Sequence, residues 1–139
     1  MQFILVLLTL AVSAFAQSVS ISAPTVGQSL FVGQSLMVRV DKPRTLSPST
    51  DVGIAIAIAH CNQDPCEDHT QQLGTVLYTG SYSPQDGPGD YYPFQNISVV
   101  LPSQFPNGQA VISVAHAALV GAMPYLSTDV ANVTVNMRM

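Results

Sequence analysis

The residues best suited to chemistry lie in one short stretch. Cys61 and Cys66 are the two cysteines of the chain, separated by Asn62-Gln63-Asp64-Pro65, and His60, His69, Asp64, Glu67 and Asp68 surround them. Two thiolates and two imidazoles form a ligand set that zinc accepts. His60 and Cys61 are neighbours in an extended segment, however, and would point to opposite sides of it. In an exported chain the expected outcome is a Cys61–Cys66 disulfide that closes the turn, with no metal and no cofactor. A loop of about six residues makes that bond worth roughly 2 kcal/mol in chain entropy, enough to pin a turn but not to hold a domain together.

The third histidine, His116, sits in Val114-Ala115-His116-Ala117, a strand-like context in which histidine is ordinarily structural. No Gly-x-Ser-x-Gly elbow accompanies it, and neither cysteine is expected to be a free nucleophile. The acidic residues fall in turns rather than in the apolar settings that raise a carboxyl pKa for glycoside hydrolysis. The expectation is therefore a protein that is not an enzyme and has no catalytic residues.

Binding chemistry is better represented. Tyr78, Tyr82, Tyr91, Tyr92 and Phe94 make up half of the aromatic residues and are interleaved with Gly, Pro, Ser and Asp. Tyrosine on a Gly/Pro-shaped loop gives rigid, amphipathic contact area, so these five form a candidate partner-binding loop. The other reading is that the rings cap one end of a small core. Asn96-Ile97-Ser98 and Asn132-Val133-Thr134 satisfy the acceptor rule for N-glycosylation. Arg39, Lys42 and Arg44 form a small basic group, too small for a polyanion site and expected to be a solvated edge that discourages strand pairing.

The elements that must position these groups follow from composition and periodicity. The 139 residues are 47% apolar and only 9% charged, with a net charge of −4. Four basic against eight acidic residues cannot neutralise a phosphate backbone, which argues against nucleic acid as a partner. Phe3 to Val12 is an apolar run followed by Ala14-Phe15-Ala16, the pattern of a secretory signal peptide cleaved after Ala16. The run is too short for a membrane span, and the alternating C-terminal segment ending in Arg138 lacks a lipid-anchor tail. A secreted, extracellular product with no stable membrane anchor is expected: 1–16 as signal peptide and 17–139 as a single domain.

From Gln17 onward the pattern is two-residue alternation. Segments around 18–22, 36–40, 51–59, 73–82, 95–101, 109–119 and 130–138 read as strands. In 51–59, Val52, Ile54, Ile56 and Ile58 face one way and Gly53, Ala55, Ala57 and Ala59 the other, which predicts a central strand with its small side packed closely. About seven short strands predict an all-β, immunoglobulin-like antiparallel β-sandwich, with 51–59 beside 109–119.

The series Asp51–Ala59, Leu73–Tyr78, Tyr92–Val99, Leu101-Pro102, Phe105, Gly108, Ala110, Ile112–Ala122 and Asn132–Val135 resembles the Nis1-like family of fungal necrosis-inducing secreted effectors. It departs from that pattern in two loops, at Ser81-Tyr82-Ser83-Pro84 and Met123-Pro124-Tyr125. The resemblance implies a non-enzymatic secreted β-sandwich that reaches host tissue and binds a host protein. In some members that protein is a plant receptor-associated immune kinase, and the outcome is suppressed pattern-triggered immunity or cell death. The alternative is a secreted cell-wall or carbohydrate-binding module built on the tyrosines, although Trp, the usual sugar platform, is missing from the chain.

Overall fold

The computed structural model describes residues 18–44 and 48–139. Residues 1–16, expected to be a signal peptide, and Gln17 lie outside the described residues. Eight strands follow in order: β1 (Ser20–Ala23), β2 (Ser29–Phe31), β3 (Ser35–Asp41), β4 (Ser49–His60), β5 (Thr75–Gly80), β6 (Phe94–Val100), β7 (Gly108–Val120) and β8 (Tyr125–Arg138). They form a three-stranded sheet, β1-β3-β6, and a five-stranded sheet, β2-β8-β7-β4-β5. Among the described residues all regular structure is β, and no helix is long and apolar enough to cross a membrane.

The alternation read from the sequence builds the core. Leu36, Val38 and Val40 of β3 and Ile97 and Val99 of β6 turn inward from the smaller sheet. Ile54, Ile56 and Ile58 of β4, Ile112 and Val114 of β7, and Val133, Val135 and Met137 of β8 meet them from the larger one. The result is a sandwich-like double layer with one shared interior. β4 and β7 are neighbours, paired antiparallel from Ser49↔Val120 to His60↔Ala110.

Two features depart from the sequence reading. The strands number eight, because β2 is a three-residue segment too short to show alternation, and it pairs parallel to β8 where an all-antiparallel sandwich was expected. The inward row of β4 also begins later than expected. A bulge between Asp51 and Gly53 leaves Val52 as an extra residue, 55% exposed. Directly opposite residues share a face. Asp51 faces Ala118 and Ile54 faces His116, so the bulge turns Asp51 onto the inner face beside the isoleucines.

On the outer face the small residues have two fates. Ala57 and Ala59 are buried under the turn that follows β4. That turn approaches so closely that Gly74, at φ +96°, could not carry a Cβ without overlapping the Ile58 carbonyl. Gly53, Ala55, Ala115 and Ala117 instead floor an open cleft of about 620 Å³, walled by Leu73, Thr79, Thr128 and Val130.

Candidate functional site

The Asp51 bulge completes a buried charged network at one end of the interior. His116, on β7 and 2% exposed, lies between two carboxylates. Its Nε2 is 2.7 Å from Asp51 Oδ1, and its Nδ1 is 2.9 Å from Asp129 Oδ1. Asp129 sits directly opposite on β8, and its second oxygen accepts from the Val19 backbone N–H at 2.9 Å. Lys42 Nζ donates to both oxygens of Asp51 at 2.8 Å. Charges therefore alternate along the row Lys42, Asp51, His116, Asp129, which lets an ionised group persist in a largely dry place.

Burial by itself would lower the His116 pKa. The hydrogen bonds to Asp129 and Asp51, together with their charges, outweigh burial and raise it. A ring whose two nitrogens both face carboxylates is an imidazolium donating twice, with no lone pair left to act as a base. Tyr82 packs edge-on against this ring at 5.4 Å between centroids and donates its hydroxyl to the Val40 carbonyl at 2.9 Å. Burial, then the nearby charges of Asp51, Asp41 and Asp129, push its phenol pKa upward, so it stays neutral.

The same end carries the aromatic segment, which runs from β5 to β6 and so crosses between the sheets. Arg39, Lys42 and Arg44 do not mark a sheet edge, because β3 lies between β1 and β6, and each of the three, the exposed Arg44 included, is paired with an aspartate. Arg39 reaches Asp41 and Asp90, both at 2.9 Å, and lies 3.8 Å above the Phe94 ring. Arg44 pairs with Asp86, and Lys42 also donates its backbone N–H to the Pro93 carbonyl at 2.9 Å. Gln85 and Phe94 exchange backbone hydrogen bonds that close the loop at its base. Gly87 leaves room for Asp90 and Phe94, whose atoms a Cβ there would meet.

The five aromatic residues of the candidate loop therefore separate. Tyr82 is 4% exposed and belongs to the core, so it offers no surface to a partner. Phe94 is half-buried under Arg39, and Tyr78 is half-buried on β5 with its hydroxyl donating to the Ser81 carbonyl at 3.2 Å. Tyr91 is 82% exposed and meets the half-buried Tyr92 edge to face at 4.7 Å, which leaves Tyr91, backed by Tyr92, as the ring of the five that is presented.

At the opposite end of β4, Cys61 and Cys66 form the expected disulfide. His60 points elsewhere, with Nε2 3.4 Å from the Asn107 carbonyl and its ring edge-on to Phe105. Glu67 accepts from the Asn62 backbone N–H and side-chain amide, and these bonds hold its carboxyl below the ordinary carboxylate range. Asn96 on β6 and Asn132 on β8 are both exposed.

Asp51 and Asp129, which join His116 to the rest of the fold, did not stand out in the sequence, and Lys42 did so only as part of the small basic group. Asp51 is 65 residues from His116 and Asp129 is 13 away. The one available signal is a lone Asp facing a strand His across a hairpin, a common pattern with little specificity.

A two-layer β domain with an ion-paired, tyrosine-bearing loop and a histidine held between two carboxylates belongs to the class of small β-sandwich-like proteins. The chain is a member of the Nis1 family, an effector-like family whose model matches residues 14–136. No curated protein matches the chain.

Proposed function

We propose that this chain is a secreted, non-enzymatic effector-like protein that binds a host protein through the loop between β5 and β6. The observation that carries the proposal is the Tyr91/Tyr92 pair. Tyr91 is exposed and Tyr92 half-buried, and the two lie between Asp90, which Arg39 holds, and Pro93, which the Lys42 backbone holds. A preorganised loop loses little conformational entropy on binding, and rigid aromatic anchors are the usual centres of such interfaces. Family membership supports an effector role, and the partner class we infer is a plant receptor-associated immune kinase, with suppression of pattern-triggered immunity or cell death as the outcome. The remaining parts of the reading are export through a signal peptide at 1–16, release without a membrane anchor, and glycosylation at Asn96 and Asn132. For the architecture we infer an immunoglobulin-like sandwich. It is supported by the order β1-β3-β6 facing β8-β7-β4-β5, which corresponds to strands A-B-E facing G-F-C-C′.

The test is affinity capture from plant extract followed by mass spectrometry, comparing wild type with Tyr91→Ala/Tyr92→Ala, alongside an immune-burst assay in leaves. Recovery of a receptor-associated kinase by wild type but not by the double variant, with a reduced burst, is the expected result. No kinase recovery and a normal burst would reject the proposal, and retention on insoluble chitin, glucan or cellulose would instead assign the tyrosines to a carbohydrate-binding module.

A further inference from the structure

The turn after β4 holds donor atoms that the proposed binding role does not use. Cys61 Sγ, Cys66 Sγ and a ring nitrogen of His69 all lie within 4.8 Å of one another. His69 Nε2 is buried without a hydrogen-bond partner, alone in this among the side-chain nitrogens and oxygens of the described residues. Glu67 Oε1 is 3.4 Å from it, but that carboxylate is engaged by the Asn62 backbone N–H at 2.9 Å and by the Asn62 amide at 2.9 Å. A buried polar atom left unpaired costs free energy. Two sulfurs beside an unpaired imidazole nitrogen are the donors that a borderline-soft ion such as Zn²⁺ selects.

We propose that reduction of the Cys61–Cys66 disulfide converts this turn into a zinc site. The protein ligands are the two thiolates and the His69 imidazole, and one coordination position stays open. The proposal goes beyond the aromatic loop and does not depend on it. The reductant is a dithiol. One of its thiolates attacks a cysteine sulfur, the Cys61–Cys66 bond breaks and a mixed disulfide forms. The second thiolate then displaces the cysteine, and the reductant leaves as a disulfide after supplying two electrons and two protons. Zn²⁺ displaces the two thiol protons, and neutral His69 contributes its lone pair. The charges of the ion and the two thiolates cancel. With Zn–S near 2.3 Å, the sulfurs of a tetrahedral site stand roughly 3.7 Å apart, and the three donor atoms already lie within 4.8 Å of one another. Cys61 is buried, but Cys66 is partly exposed and Asn62, Gln63, Asp64 and Pro65 are exposed, so the reductant attacks at Cys66.

The experiment uses the full chain, reduced with a dithiol that is then removed without air. Co²⁺ serves as a spectroscopic probe, and Zn²⁺ is titrated against a chromophoric chelator. The expected result is one ion per reduced chain, with a thiolate-to-cobalt charge-transfer band and the visible bands of tetrahedral cobalt. The oxidised chain and Cys66→Ser show neither band. His69→Ala weakens affinity by more than about tenfold, since losing a ligand costs at least as much as losing a ligand's outer partner, whereas His60→Ala binds like wild type. Absence of binding by the reduced chain, or equal affinity in His69→Ala, would overturn the proposal. An amide NMR spectrum of each sample reports the fold. If reduction alone unfolds the chain, Zn²⁺ must restore the native spectrum, and a chain that stays unfolded with the metal present also overturns it.

Discussion

Replacing His116 with Leu tests the buried network directly. Leucine is close to histidine in size and apolar, so little cavity forms and the change isolates the ionic and hydrogen-bonding part of the residue. Two hydrogen bonds to charged partners are lost, at 2.7 and 2.9 Å. Bonds of this kind are worth about 1.5–3 kcal/mol each, or about 3–6 kcal/mol together. Breaking a buried ion pair by removing one partner costs about 3–5 kcal/mol by a separate line of measurement. Asp51 keeps Lys42 and Asp129 keeps the Val19 N–H, so neither carboxylate is abandoned and the lower part of this range, about 3 kcal/mol, is expected.

The cost depends on pH with a definite sign. The His116 pKa is raised in the folded chain, so its stabilisation is fully present below the unfolded value, about 6.5 for a free imidazole. It is lost as pH rises through the folded value. Between the two, the stability difference between wild type and His116→Leu should shrink by no more than about 1.4 kcal/mol per pH unit. Urea unfolding of both proteins from pH 5.5 upward measures this, provided the slope m is shared. A difference below about 1 kcal/mol at low pH, or one that grows as pH rises, would refute the assignment of His116 as a buried imidazolium.

Tyr91→Ala should change stability by less than about 0.5 kcal/mol while weakening partner capture, because an exposed side chain contributes little to folding. Tyr82→Phe should do the reverse, costing about 1–3 kcal/mol by leaving the Val40 carbonyl without its buried donor and sparing capture. Urea midpoints read beside pull-downs separate the two cases. Cys61→Ser/Cys66→Ser should lower stability by about 2 kcal/mol in the same unfolding assay, and the wild-type chain should titrate no free thiol. In protein secreted from a eukaryotic host, glycosidase treatment should shift gel mobility in wild type and not in Asn96→Gln/Asn132→Gln.

The strands with long apolar rows were legible because burial on one or both faces leaves a periodic mark. β4, β7 and β8 carry it over many residues, and the pairing of β4 with β7 followed from their shared apolar character. β2 has three residues, fewer than a period needs, and its pairing with β8 is fixed by the chain's return rather than by local pattern. The Val52 bulge was hidden for a different reason. Val52, Ile54, Ile56 and Ile58 alternate without a break, so nothing local separates an inward valine from an extra one. The bulge is selected by what it places inside, the Asp51 carboxylate that His116 and Lys42 require. Tyr82 looked equivalent to Tyr91 because spacing in a Gly/Pro-rich segment carries no burial signal. The core takes Tyr82 because the Val40 carbonyl can accept from its hydroxyl.

The scarcity of charge makes the placement of each ion pair informative. Arg39 lies near the end of β3 and Lys42 and Arg44 just beyond it, and their partners lie on β3 itself, on β4 and in the loop that bears the tyrosines. Ion pairs near the surface add little to global stability taken singly. Their effect here is geometric, since the loop between β5 and β6 sends only Tyr82 into the core and needs another means of holding its shape. Lys42 joins the two regions: its side chain holds Asp51, which holds His116, while its backbone N–H holds Pro93 next to Tyr92. The buried imidazolium and the Tyr91/Tyr92 pair are thus ends of one chain of contacts. His116 bears on the loop's shape, because it helps to fix the residue whose backbone bonds to the loop.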